Sequence, residues 1–215
     1  MEGPDSNTPR KSIVILLFLI PFITYSQYYQ GLDIGLNSTT AEFNINGSSN
    51  SGRVTGFLVG YVYERDISDM LFLRLGLTFN RRTFEVNTIR GVTLYNEKYG
   101  SDAIEIPVNL GYYLNWNRRN FQFFIDAGFN IGYNNRAIVK NEDETVALDI
   151  GKDADIKRTA FGANGSMGLL IKKRLKVRLN YYYGLSNMAN TDNYTWKNRT
   201  LSITLNYFLR EKEVD

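Results

Sequence analysis

Residues 121–133 read Phe-Gln-Phe-Phe-Ile-Asp-Ala-Gly-Phe-Asn-Ile-Gly-Tyr. In an extended chain Phe121, Phe123, Ile125, Ala127, Phe129, Ile131 and Tyr133 share one side. Gln122, Asp126, Gly128, Asn130 and Gly132 share the other. Successive side chains of a strand point to opposite faces, so alternation sustained over this length predicts a strand with one apolar and one polar face.

The same pattern recurs on both sides of this stretch. Before it come Leu32/Ile34/Leu36, Phe57/Val59/Tyr61/Tyr63, Leu71/Leu73/Leu75/Leu77/Phe79 and Ile104/Ile106/Val108/Leu110/Tyr112/Leu114. After it come Phe161/Ala163/Met167/Leu169/Ile171, Val177/Leu179/Tyr181/Tyr183 and Leu201/Ile203/Leu205/Tyr207. That makes eight candidate strands, and no window after Gln27 shows a helical period. The apolar rows carry no charge. The opposite rows are rich in Gly, Asn, Ser and Thr, with Asp33, Glu64, Arg74, Glu105, Asp126, Lys176 and Arg178 set singly among them.

A soluble sandwich puts its apolar rows inside and long charged side chains outside. Here the polar rows suit a crowded, hydrogen-bonded interior, and the apolar rows suit lipid, where Arg or Lys at the bilayer midplane costs about 2–4 kcal/mol. The connections agree. Gaps at 38–52, 80–101, 134–158 and 186–199 are long, whereas those at 65–70, 115–120 and 172–174 are tight. Long and short connections alternating on an even strand number predict an all-β, eight-stranded antiparallel up-and-down transmembrane β-barrel. Its short turns and termini face the periplasm and its long loops the exterior. Tyr28, Tyr29, Tyr63, Tyr112, Tyr133, Tyr183 and Tyr207 fall near strand ends, where an interfacial aromatic girdle belongs. A soluble, lipocalin-like ligand-binding barrel is the alternative.

The N-terminus reads as an address. Arg10 and Lys11 precede an apolar run from Ile13 to Ile23, closed by Thr24-Tyr25-Ser26. A basic n-region, a short apolar core and a small-x-small site form a cleavable signal peptide over residues 1–26, leaving 27–215 as the barrel domain. The run is shorter than the roughly 20 residues of a spanning helix. A short membrane anchor and a buried helix are the competing readings.

Composition removes most chemistry. The 215 residues include no His and no Cys. There is therefore no disulfide, no Cys/His zinc site and no Ser–His or Cys–His nucleophile pair. No cofactor or metal is expected and no catalytic residue is marked; the enzymatic alternative left by this composition is a carboxylate-only hydrolase. Twenty-five Lys+Arg against 22 Asp+Glu leave a net charge of +3, which does not indicate nucleic acid. The mean hydropathy of -0.29 would suit a soluble protein. The acidic residues Glu142, Asp143, Glu144, Asp149, Asp153 and Asp155 of the third long gap lack the spacing of a calcium loop.

Glu105-Ile106-Pro107-Val108 resembles the E-I-P step of the PorT-like outer-membrane β-barrel family, common in Bacteroidota. Tyr181-Tyr182-Tyr183-Gly184-Leu185-Ser186-Asn187 is similar to its Y-x-x-G-L-x-N strand end, and Ala127-Gly128-Phe129 and Phe161-Gly162-Ala163 to its glycine-punctuated strands. The chain departs from that pattern in continuing from Arg210 to Asp215 after its last aromatic pair. The resemblance implies a cell outer membrane location and a barrel fold, with no activity attached.

Arg74, Glu105, Asp126 and Arg178 lie mid-strand on the polar rows and are the candidate site: a charge network across the lumen with a structural role. Eight-stranded barrels have interiors just wide enough for side chains to fill. The expected function is a non-enzymatic, monomeric outer-membrane barrel with a filled lumen. Its expected partners are outer-membrane lipid and lipopolysaccharide, and an envelope protein at the long loops. The alternative is a small porin or an accessory component of a transport or secretion system.

Overall fold

The computed structural model describes residues 27–45, 51–90, 93–114, 120–141, 144–191 and 194–212. The expected signal peptide lies outside them. The strands are β1 (Tyr28–Ile45), β2 (Ser51–Asp66), β3 (Leu71–Arg90), β4 (Thr93–Leu114), β5 (Phe121–Lys140), β6 (Thr145–Leu148), β7 (Thr159–Ile171), β8 (Leu175–Gly184) and β9 (Tyr194–Lys212). All pairings between them are antiparallel. Eight strands close a ring, with β1 paired to both β2 and β9 and β4 paired to β5. The short β6 adds only to the far end of β5, pairing with Ala137–Lys140. Closure leaves no unpaired edge in the wall, the condition for a sheet that meets lipid.

The apolar rows face out. Leu36, Ile34, Phe129, Ile131 and Ile203 are each more than half exposed, while Asp33, Arg74, Glu105 and Asp126 on the opposite rows are at most 6% exposed. This is the inverse of a lipocalin, whose apolar rows line a central cavity. At roughly 3.4 Å per residue and about 40° of tilt, the ten steps from Phe123 to Tyr133 rise about 26 Å, the height of a hydrocarbon band. Tyr28, Tyr63, Tyr112 and Tyr207 ring one edge of that band, with Tyr28 stacked on Tyr63 at 5.8 Å. Tyr133 and Tyr183 ring the other. Tyr29 departs from the expected girdle: it points into the lumen, 3% exposed, because it alternates with Tyr28.

The long gaps are in part strand. β3 and β4 pair continuously from Asn80↔Ala103 to Arg90↔Thr93, and β1 continues to Ile45. Beyond the band the alternation persists with its sense reversed. Phe84, Val86, Tyr99, Ala41 and Phe43 point in and are buried, while Arg81, Thr83, Glu85 and Lys98 point out. Water surrounds this part of the wall, so the ordinary rule of apolar inside applies there.

Two inward glycines are seats for rings. A Cβ on Gly111 would lie 2.0 Å from the Phe72 ring, and one on Gly162 would lie 2.3 Å from that of Tyr182. The E-I-P step interrupts a ladder: β3 and β4 pair at Leu75↔Val108 and resume at Thr78↔Glu105, across Pro107, which has no N–H to give. The turn between β7 and β8 places Lys172 at φ 49° and Lys173 at φ 56°, with Arg174 N–H donating to the Ile171 carbonyl at 3.0 Å. Two successive left-handed residues form the mirror-image β-turn whose twist suits a hairpin, but that conformation disfavours side chains with a Cβ. Replacing Lys172-Lys173 by Asn-Gly is expected to stabilise the barrel by about 1–2 kcal/mol in urea unfolding from lipid vesicles. An unchanged or lowered midpoint would contradict this reading of the turn.

Candidate functional site in the lumen

The strand registers stack the inward side chains in layers. At the end that carries the short turns, the expected periplasmic end, Tyr29, Val62, Phe72, Tyr113, Phe124, Leu170 and Phe208 form an apolar cluster. Phe72 contacts Tyr113 at 4.6 Å and Phe124 at 5.9 Å between ring centroids. At the opposite end, the expected extracellular one, Phe43, Phe84, Tyr99 and Trp196 pack ring to ring at 4.6–6.0 Å, with Ile156 and Met188 in the same buried cluster. Trp196 is 2% exposed and donates its indole N–H to Asn198 at 2.8 Å. The lumen is thus closed by aromatic side chains above and below.

Charged side chains occupy the space between. Lys176 Nζ donates to Glu64 Oε1 at 2.5 Å, and both side chains are fully buried. The same carboxylate oxygen accepts from Tyr113 OH at 2.7 Å, and Arg74 lies 3.7 Å from the other oxygen. Arg74 also forms an ion pair with Asp33. The Lys176 ammonium sits over Phe72 at 3.8 Å and over Phe124 at 4.1 Å, so rings of the periplasmic cluster supply its remaining contacts. Farther along the axis, Arg178 Nη2 donates to both oxygens of Asp126 at 2.9 Å. Asp126 also accepts from Asn109 at 2.5 Å and Ser166 at 2.7 Å. Arg82 then meets Glu105 through both guanidinium ends and lies under Tyr182 at 4.4 Å. Glu105 Oε2 accepts from Asn80 at 3.0 Å and Asn130 at 2.9 Å.

The four expected residues are therefore all buried in the lumen, but they do not form one cluster. Asp126 and Arg178 pair directly; Arg74 and Glu105 bind other partners. Asp33, Glu64 and Lys176 stood on the polar rows of the sequence and complete the periplasmic group. Arg82 is not among the expected site residues because it lies in the 80–101 gap; the continued alternation Arg82, Phe84, Val86 is the signal that turns it inward. Counted together, Arg74, Arg82, Lys176 and Arg178 balance Asp33, Glu64, Glu105 and Asp126. The net charge of this layer is zero.

The space left is small. A cavity of about 60 Å³ lies among Asp33, Arg74, Arg82, Glu105, Asn130 and Arg178. A buried water needs about 10–15 Å³ of such space, so the cavity has room for a few waters and not for a sugar-sized solute. Several polar atoms bordering it, including Asp33 Oδ1, Arg82 Nε and Asn130 Oδ1, have no hydrogen-bond partner among the described residues. Such a site has the polarity that bridging water requires.

The third long loop contains a second ordered region. Asp155 Oδ2 accepts from Asp149 N–H at 3.1 Å, and Asn190 donates to the carbonyls of Gly151 and Lys152 at 2.8 Å. Of the acidic residues noted there, Glu142 and Asp143 lie outside the described residues. Among the described residues no three carboxylates converge as a metal-ligand set.

The Lys176–Glu64 pair permits a direct test. Breaking a buried ion pair typically costs about 3–5 kcal/mol, whereas replacing both partners with apolar groups is close to neutral. Lys176→Met is expected to destabilise the barrel by about 3 kcal/mol. The double variant Lys176→Met/Glu64→Leu is expected to recover most of that loss in the same urea titration. A single variant as stable as the parent would contradict the assignment.

A family model described as outer membrane protein beta-barrel domain matches residues 27–190. No curated protein matches the chain in sequence. Among solved structures, the attachment invasion locus protein Ail of Yersinia pestis, in complex with the heparin analogue sucrose octasulfate, is 12% identical; the match covers 86% of this chain and 100% of Ail at a TM-score of 0.46. OprG of Pseudomonas aeruginosa is 10% identical over 85% of this chain and 92% of its own, with a TM-score of 0.45. Neisserial surface protein A is 14% identical over 82% and 96%, with a TM-score of 0.43. These are likenesses of shape, and the assignment rests on the family match over most of the chain. With its apolar face outward and its ring closed, the chain belongs to the outer membrane protein β-barrel family and resides in the outer membrane.

Proposed function

We propose that this protein is a non-enzymatic, non-conducting outer-membrane barrel. Its filled lumen makes the wall rigid, and its raised extracellular rim serves a structural role or binds an envelope partner. The observation that carries this reading is the double closure of the lumen: aromatic layers at both ends, with a charge-neutral, ion-paired layer between them. A pore needs a continuous polar path. Here an ion would meet apolar rings at each end and a 60 Å³ cavity in the middle.

Absence of catalysis follows the same reasoning. Asp33, Glu64, Glu105 and Asp126 are each paired with a cation and shielded from solvent, so none of these four is placed to act as a general base on a bound substrate. The rim supports the binding half of the reading. β3 and β4 continue as a paired ribbon about ten residues past Asn80, and β6 extends β5 above the band. That ribbon offers a firm surface to a lipopolysaccharide headgroup or to another envelope protein. A porin or a conducting component of a transport system is the competing reading. Purified protein in planar bilayers distinguishes them: the sealed lumen gives no stable unit conductance, whereas large, reproducible conductance steps would overturn the proposal.

A further inference from the structure

The outer face of β3, β4 and β5 changes chemistry abruptly at the extracellular edge of the apolar band. Phe79, Ile104 and Tyr133 lie side by side as its last apolar row. The next outward row is Arg81, Asp102 and Arg136, in register on the three strands. Above it come Thr83, Gly100 and Ile138, then Glu85, Lys98 and Lys140. At about 3.4 Å per residue and roughly 40° of tilt, the arginine row stands about 5 Å above the last apolar row, at the level of lipid headgroups.

Arg81, Thr83, Gly100, Asp102, Arg136 and Ile138 enclose a cleft of about 220 Å³ on this outer surface. Gly100 gives it a floor without a side chain. Arg81 is fixed: it binds both oxygens of Asp102 at 2.7 and 2.8 Å and lies over the Phe57 ring at 5.4 Å. Asp102 is turned wholly to Arg81, with its side chain 10% exposed. Arg136, across the cleft, is exposed and has no ion-pair partner among the described residues. The two polar rows hold four cations, Arg81, Arg136, Lys98 and Lys140, against two anions, Asp102 and Glu85. The excess is positive. Elsewhere at this edge Arg199 is already spent on Glu42 at 2.8 Å and lies over Tyr183.

We propose that the cleft between Arg81 and Arg136 binds a phosphate of the lipopolysaccharide that forms the outer leaflet around the barrel. A planar guanidinium offers a two-pronged donor that fits phosphate oxygens, and among the described residues lining the cleft Arg136 is the uncommitted fork. The neighbouring apolar row gives the acyl chains of the same molecule a surface directly below, so headgroup and chains are held together. Arg81 sets one wall of the cleft through Asp102 and Phe57, and Arg136 makes the contact. This inference uses the outer-membrane location of the wall and is independent of whether the lumen conducts.

Native mass spectrometry from detergent tests it, with adducts titrated for bisphosphorylated lipid A, dephosphorylated lipid A and phosphatidylglycerol. The parent protein is expected to retain bisphosphorylated lipid A about tenfold more tightly than either other lipid. Arg136→Gln is expected to lose about tenfold in that affinity, while Arg199→Gln stays within about twofold of the parent. Because Arg136 is exposed, a heat-dependent gel shift confirms that its variant still folds. Equal retention of the dephosphorylated lipid, equal retention of phosphatidylglycerol, or an Arg136→Gln variant that binds like the parent would each overturn the proposal.

Discussion

A strand wall in lipid has one place to put its polar side chains, and that place is the lumen. The rest of the structure follows from this constraint. Outward positions in the band must be apolar, because a cation there costs several kcal/mol. The inward positions then receive every polar group the wall carries, in a space too narrow to supply each with bulk water. Ion pairing and hydrogen bonding inside are therefore a condition of folding. Glu64 illustrates this: Lys176, Tyr113 and Arg74 surround a single buried carboxylate.

The two aromatic layers answer a related difficulty. A charged lumen open at either end would exchange its pairs for water and lose the low-dielectric setting that strengthens them. Phe72, Phe124 and Phe208 close one end; Phe43, Phe84, Tyr99 and Trp196 close the other. Lys176 joins the layers, because its ammonium serves Glu64 on one side and the faces of Phe72 and Phe124 on the other. Space for these rings comes from glycine on the neighbouring strand, as with Phe72 over Gly111 and Tyr182 over Gly162. The Gly-rich inner rows are thus part of the packing.

The barrel itself was legible in the sequence because lipid enforces period two with an unusual strictness, and residues 121–133 show it plainly. The charge positions were legible as well, since any charge on a lipid-spanning strand has to point in. Their partners were not. Which cation meets which anion depends on strand registers and shear, and alternation carries no record of either. The inward aromatics were equally hidden, because Phe124 beside Phe123 looks like a simple apolar run. Strand ends were misplaced at the water boundary. Past Asn80 the apolar side switches from outward to inward, and a reading tuned to lipid loses the pattern where the environment changes. Arg82 and the Arg81–Asp102–Arg136 row fell in that blind stretch.

The central claim is that one face of each strand meets lipid while the other is sealed in a packed lumen. Spin labels placed singly along β5 in lipid vesicles measure this most directly, read by collision with oxygen, which concentrates in hydrocarbon, and with a polar nickel reagent confined to water. Labels at Phe123, Ile125, Phe129 and Ile131 should respond strongly to oxygen and weakly to nickel, while labels at Asn130 and Gly132 should be shielded from both. Nickel access at Asn130 and Gly132 would mean a water-filled lumen, and shielding of the odd-numbered positions would mean an inverted, soluble barrel. Either result would contradict the account.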